Sequence, residues 1–122
     1  MTTTLQRMLA GSIRTALVSA VLVALTQTAH AAQKTFSCTP VEVATFPKSR
    51  IDLQCSPGDG AISYFALGLS SQEDANRVLS LAATALTTKR KLLIFYDPND
   101  QSGANIGCQT KDCRLILGLR LF

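Results

Sequence analysis

Apolar and polar residues alternate most cleanly over residues 51–55, where Ile51, Leu53 and Cys55 are separated by Asp52 and Gln54. A period of two predicts a strand with one greasy and one wet face. The preceding run VEVATF, residues 41–46, is rich in β-branched and aromatic residues, and Pro47-Lys48-Ser49-Arg50 between the two runs is a turn signal. Together they predict a hairpin. SPGDG, residues 56–60, reads as a loop by its Pro and Gly content, and AISYFALGL, residues 61–69, as a third strand covered on both faces. The period then changes. Val78, Leu81, Ala82, Ala85 and Leu86 recur at helical spacing, which predicts a helix over about 71–88. Ser70-Ser71-Gln72-Glu73 is a capping-box pattern at its start. Glu73 and Asp74 in the first turn, with Lys89, Arg90 and Lys91 at the far end, suit the helix dipole.

Beyond the helix, KLLIFY (residues 91–96) predicts a short buried strand and DPNDQSGANIG (residues 97–107) a long polar loop. CRLILGLRLF, residues 113–122, predicts a last strand. Leu115, Leu117, Leu119 and Leu121 would share one face, with Ile116, Gly118, Arg120 and Phe122 on the other, and Gly118 marks a bend or bulge. The resulting class is mainly β with one helix, in the order β-β-β-α-β-β. That is the order of the OB-fold, a five-stranded barrel whose end the helix plugs through its apolar stripe. The expected architecture is therefore an OB-fold-like barrel, with an open α+β sheet under one covering helix as the competing arrangement.

The N-terminal residues change the composition argument. Arg7 and Arg14 precede an apolar run over residues 16–25, and Ala29 and Ala31 offer small residues at the −3 and −1 positions of a cleavage site. Basic, greasy and small segments in that order predict a secretory signal peptide over residues 1–31, leaving a single domain over 32–122. The apolar run is about half the roughly 20 residues a spanning helix needs, so no stable membrane span is expected. The predicted location is exported, periplasmic or secreted. Without Arg7 and Arg14 the basic residues fall from 12 to 10 against 8 acidic ones, and the formal charge falls from +4 to +2. So modest a charge, with export, argues against a nucleic-acid partner.

Four cysteines remain, Cys38, Cys55, Cys108 and Cys113. An even number in an oxidising compartment predicts two bridges, and small exported domains with thin cores rely on them. Of the three possible pairings, Cys38–Cys55 with Cys108–Cys113 joins neighbours in sequence. It would tie strand one to strand two and the last loop to itself. The spacings C-x16-C and C-x4-C match neither a zinc ribbon nor a C-x2-C redox motif.

Candidate chemistry is sparse. His30, the sole histidine, lies in the predicted leader, which removes the commonest general base from the domain. Asp97, Asn99 and Gln101 alternate as in a calcium loop, but Ser102 stands where Gly is needed and Cys108 where the bidentate Glu belongs. An Asp-capped turn explains DPND better. No enzymatic activity, metal or other cofactor is expected. The basic run 89–91 reads as a solvated helix end, with an anionic contact as the sharper alternative.

Across about 38–122, the architecture and the helix-to-strand junction SLAATALTTKRKLLIFYDP resemble the receptor-binding B subunits of bacterial AB5 toxins, including the subtilase-cytotoxin type. The resemblance implies an exported, disulfide-bearing OB-fold that forms a homo-oligomeric ring, binds a glycan and carries an A subunit. The chain has no tryptophan to stack on a sugar, so no receptor residue is carried over. The expected function is a secreted or periplasmic binding module for a glycan or protein ligand. The alternative is a stand-alone periplasmic inhibitor or envelope-stress protein. OB-fold ligands meet the face of strands two and three and the loop between strands four and five. That places the expected site at Tyr96, Asp97, Asn99, Asp100 and Asn105.

Overall fold

A computed structural model describes residues 32–122; the predicted leader, 1–31, lies outside the described residues. The elements run β1 (Lys34–Cys38), β2 (Pro40–Phe46), β3 (Arg50–Asp59), β4 (Ile62–Gly68), α1 (Gln72–Thr88), β5 (Leu92–Tyr96), a 3-10 turn (Ser102–Ile106), β6 (Cys113–Leu115) and β7 (Gly118–Leu121). They form two sheets, one of three strands in the order β1-β5-β7 and one of four in the order β2-β3-β4-β6.

This overturns the expectation of a single closed five-stranded barrel. Four strands precede the helix rather than three, because residues 34–38 form a strand of their own. β1 pairs antiparallel with β5, up to Cys38 opposite Leu92. The chain then turns at Thr39, whose carbonyl accepts the Ser56 N–H, and β2 pairs with β3 across a register shift at Pro40/Glu42. The last predicted strand divides in the same way. Ile116 N–H donates to Ala66 O of the four-stranded sheet, and Leu117 N–H to Phe95 O of the three-stranded one, each at 2.8 Å. Successive N–H groups of extended backbone point in opposite directions, so a bent strand can serve a different ladder on either side of one peptide unit. β6 lies parallel to β4, and β7 antiparallel to β5. SPGDG is strand rather than loop as far as Asp59, and the reversal falls at Gly60, whose φ of 63° suits glycine.

The core lies between the sheets. Phe65 of β4 stacks on Phe36 of β1, ring centroids 5.8 Å apart, and meets Tyr96 of β5 edge-on at 5.1 Å. Leu53, Leu92, Ile94 and Ile116 fill the remainder with the Cys38–Cys55 disulfide. That bridge joins a strand of one sheet to a strand of the other. Helix α1 packs on β2 and β7, one strand from each sheet, through a face of small residues, Ala75, Ala82 and Ala85, with Val78. Leu86, expected on that stripe, is exposed. Ser71, one residue later than the expected cap, accepts the Asp74 N–H at 3.3 Å, and Lys89 ends the helix in the left-handed conformation. Among the described residues, no helix is long and apolar enough to cross a membrane.

Candidate functional site

The outward face of β3 carries Arg50, Asp52 and Gln54, and the register sets Gly68, Ala66 and Tyr64 of β4 opposite them. Next to β4, Cys113 and Leu115 of β6 lie opposite Tyr64 and Ala66. This face is not open along its length. The 3-10 turn and the Cys108–Cys113 loop fold back over it, burying Ala66 and the disulfide in a second small core with Ile106 and Leu115. Gly103 is buried in the turn, where a Cβ would press on Cys108 and Leu115. Between sheet and loop a cleft of about 310 Å³ remains, lined by Arg50, Asp52, Tyr64, Gly107, Gln109, Lys111, Asp112 and Cys113.

Two arginines build this cleft. Arg50 lies over the Phe46 ring, 4.1 Å from its centroid, donates through Nε to Asp52 Oδ1 at 2.8 Å, and through Nη1 to Ile106 O at 2.9 Å. It is thereby held on the sheet face while gripping the end of the turn. Gly107 follows with φ 89°, and a Cβ there would collide with the Arg50 guanidinium. Arg114 is buried, 8 % exposed, and its fork reaches three carbonyls: Pro98 O at 2.8 Å, Thr110 O at 2.7 Å and Cys113 O at 2.6 Å. Carbonyl oxygens are good partners for a buried guanidinium, whose donors must all be met. One side chain thus ties the start of the 97–107 segment to the disulfide loop. The loop is further anchored where Asp112 O accepts both Ser63 and Tyr64 N–H groups at 3.0 Å.

The disulfides join Cys38 to Cys55 and Cys108 to Cys113, and no cysteine among the described residues is free. None of the five expected binding residues lines this cleft. Tyr96 is 1 % exposed, so its ring belongs to the core, and its hydroxyl donates to Asp59 Oδ2 at 2.5 Å. Burial first, then the adjacent Asp59 carboxylate, pushes the Tyr96 hydroxyl pKa upward. Asp97 Oδ1 accepts the Asn99 N–H and Asp100 Oδ1 the Ser102 N–H, both at 2.9 Å, so these carboxylates cap their own turns. The Ser102 hydrogen bonds hold the Asp100 carboxyl below its ordinary value. Asn99 and Asn105 are exposed. From the 97–107 segment, Gly107 reaches the cleft, and the Ile106 carbonyl anchors Arg50 beside it.

The wet face of 51–55 was legible in the sequence. What joins it to Tyr64, Gln109, Lys111 and Asp112 is strand register and loop closure, which carry no local signature. The chemistry of the cleft is that of polar recognition. Asp52 and Asp112 offer carboxylate acceptors, Lys111 a donor, Gln109 both, and Tyr64 a half-buried ring. A wider hollow of about 560 Å³ lies along α1, but one helix face lines it, without converging groups from other elements. Comparisons with protein-family models, curated proteins and solved structures find no match for this chain.

Proposed function

We propose that the chain is an exported binding module that recognises a glycan in the cleft between the β3–β4 face and the Cys108–Cys113 loop. The observation that carries this reading is the loop's construction. Its rim is closed by a disulfide and clamped by Arg50 and Arg114 before any ligand arrives. A rim ordered in advance lowers the cost of binding. The volume of about 310 Å³ falls at the small end of the roughly 300–1,000 Å³ typical of small-molecule sites, a fit to one or two sugar units rather than a protein face. Tyr64 supplies an apolar ring face and the surrounding amide, amine and carboxylates supply hydroxyl partners.

A glycan array probed with wild type and with Tyr64→Ala and Gln109→Ala/Lys111→Ala tests the reading. Each variant is first checked for native circular dichroism. Folded variants that lose the wild-type ligands support the cleft; folded variants that bind all of them unchanged remove it. The toxin-subunit resemblance adds an oligomeric ring with an A subunit to the proposal, and native mass spectrometry tests that addition. A monomer at every concentration favours the stand-alone periplasmic alternative. Export is tested by intact mass: the exported product begins at or near Ala32, and a product retaining Arg7 and Arg14 rejects the leader.

A further inference from the structure

Most of the basic residues that stand in no ion pair lie at one corner of the domain. Of the ten basic residues in 32–122, Lys34, Arg50 and Arg77 stand in ion pairs with Asp59, Asp52 and Glu73, and Arg114 is buried on carbonyls. Of the remaining six, four lie together: Lys89, Arg90 and Lys91 between α1 and β5, and Arg120 on β7. All four are exposed. Register brings them to one place. Arg120 is directly opposite Leu93, Phe122 N–H donates to Lys91 O at 3.2 Å, and Arg90 Nε reaches Phe122 O at 3.4 Å.

No side chain in 84–96 or 114–122 is acidic, and a terminal carboxylate on Phe122 would still leave four cations against one anion. The acids of the same elements stand at their far ends. Glu73 and Asp74 are a helix length away, about 24 Å at 1.5 Å per residue. Asp97 follows the other end of β5, about 20 Å from Lys91 at 3.3 Å per residue. Both exceed the screening length of about 8–10 Å at physiological salt.

Apolar surface accompanies the charge. Leu92 and Leu121 face the core, so the alternate positions Leu93, Arg120 and Phe122 face outward, and these three line a shallow hollow of about 250 Å³. Phe122 is 50 % exposed and Leu86, on the last turns of α1, 36 %. A solvated helix end would account for basic residues alone. It does not account for a large aromatic left in water among them.

We propose that this corner docks the protein on an anionic phospholipid surface, with Lys89, Arg90, Lys91 and Arg120 meeting phosphates and Phe122 entering the headgroup boundary. Cations beside an exposed aromatic are the combination that an acidic bilayer attracts and an apolar side chain then secures. The site lies apart from the polar cleft and does not depend on it.

The test is co-sedimentation of the 32–122 protein with vesicles of mixed phosphatidylglycerol and phosphatidylcholine, against phosphatidylcholine alone. The expected result is binding to the anionic vesicles only, weakening as salt is raised. Each basic residue contributes about fivefold, from roughly 1 kcal/mol per charge, so Lys89→Gln/Lys91→Gln/Arg120→Gln weakens binding by about a hundredfold. Phe122→Ala weakens it without altering the salt dependence. These side chains are exposed, so the variants retain the fold, and unchanged thermal unfolding verifies it. Equal binding to both vesicles, no binding to either, or undiminished binding by the folded triple variant overturns the proposal. So does binding to soluble polyglutamate with none to vesicles, which assigns the corner to an acidic protein.

Discussion

Tyr96 and Asp59 are 37 residues apart, yet the Tyr96 hydroxyl donates a 2.5 Å hydrogen bond to Asp59 Oδ2, the oxygen that Lys34 Nζ also holds at 2.7 Å. Lys34 and Tyr96 are cross-strand partners on β1 and β5, whereas Asp59 ends β3. The contact therefore locks the β3–β4 reversal of one sheet onto the other. Tyr96→Phe keeps the ring in the core and removes the donor. The expected loss is about 1–2 kcal/mol, since a bond to a charged acceptor is worth roughly 1.5–3 and Lys34 retains the carboxylate. Urea unfolding of the two proteins measures it.

The same contact has a pH signature. Hydrogen bonds from Lys34 and then Tyr96 hold the Asp59 carboxyl below its ordinary value of 3.8. A carboxyl depressed in the folded state contributes stability above its unfolded value, and loses it as pH falls through the folded one. Wild type is therefore expected to lose stability progressively below about pH 4, and Asp59→Asn to show a shallower acid limb. Parallel acid limbs for the two proteins would contradict the assignment.

Arg114 is expected to matter more to the loops than to the core. Arg114→Met keeps much of the stem and leaves three carbonyls without their donor. Stranding buried acceptors costs about 1–3 kcal/mol each when water cannot reach them. Since two of the three bonds are only part-buried, a total of about 2–4 kcal/mol is expected. Amide exchange read by mass spectrometry should rise over residues 97–113 while β5 stays protected.

Gly107→Ala is expected to disturb the cleft from its rim. Its φ of 89° is strained for a side chain, at about 1–3 kcal/mol, and the Arg50 guanidinium occupies the space the Cβ would take. Relief by moving Arg50 breaks its bond to Ile106 O, so ligand binding and stability should fall together. Arg50→Ala in the same background should then cost less than in wild type, a coupling that a double-mutant cycle reads.

The disulfides are expected to contribute unequally. Loop closure over separations of 17 and 5 residues corresponds to about 3 kcal/mol for Cys38–Cys55 and about 2 kcal/mol for Cys108–Cys113. Because the first bridge also joins the sheets through the core, its Ser/Ser variant should lower global stability. The Cys108→Ser/Cys113→Ser variant should first lose order in the loop and affinity at the cleft.

The features readable from the chain alone were local. The α1 stripe, the residue types at its ends, the β2–β3 hairpin and the short β5 strand all follow from patterns a few residues wide, because propensity, capping and turn chemistry act over that range. The disulfide pairing was legible too, from an even cysteine count and sequence neighbours. Two matters were decided by tertiary structure alone. One is the division of the strands into two sheets. Alternation says which face of a strand is wet but not which neighbour its N–H groups meet, and Ile116 and Leu117, adjacent in sequence, donate to different sheets. The other is the candidate cleft. Tyr96 looked like an amphipathic contact at a loop mouth, but its ring is buried and its hydroxyl bonds the partly buried Asp59 carboxylate, while Arg50, Asp52 and Tyr64 became a cleft wall once the stapled loop closed over them. Contacts between residues tens of positions apart depend on strand register and loop closure, which no local pattern encodes.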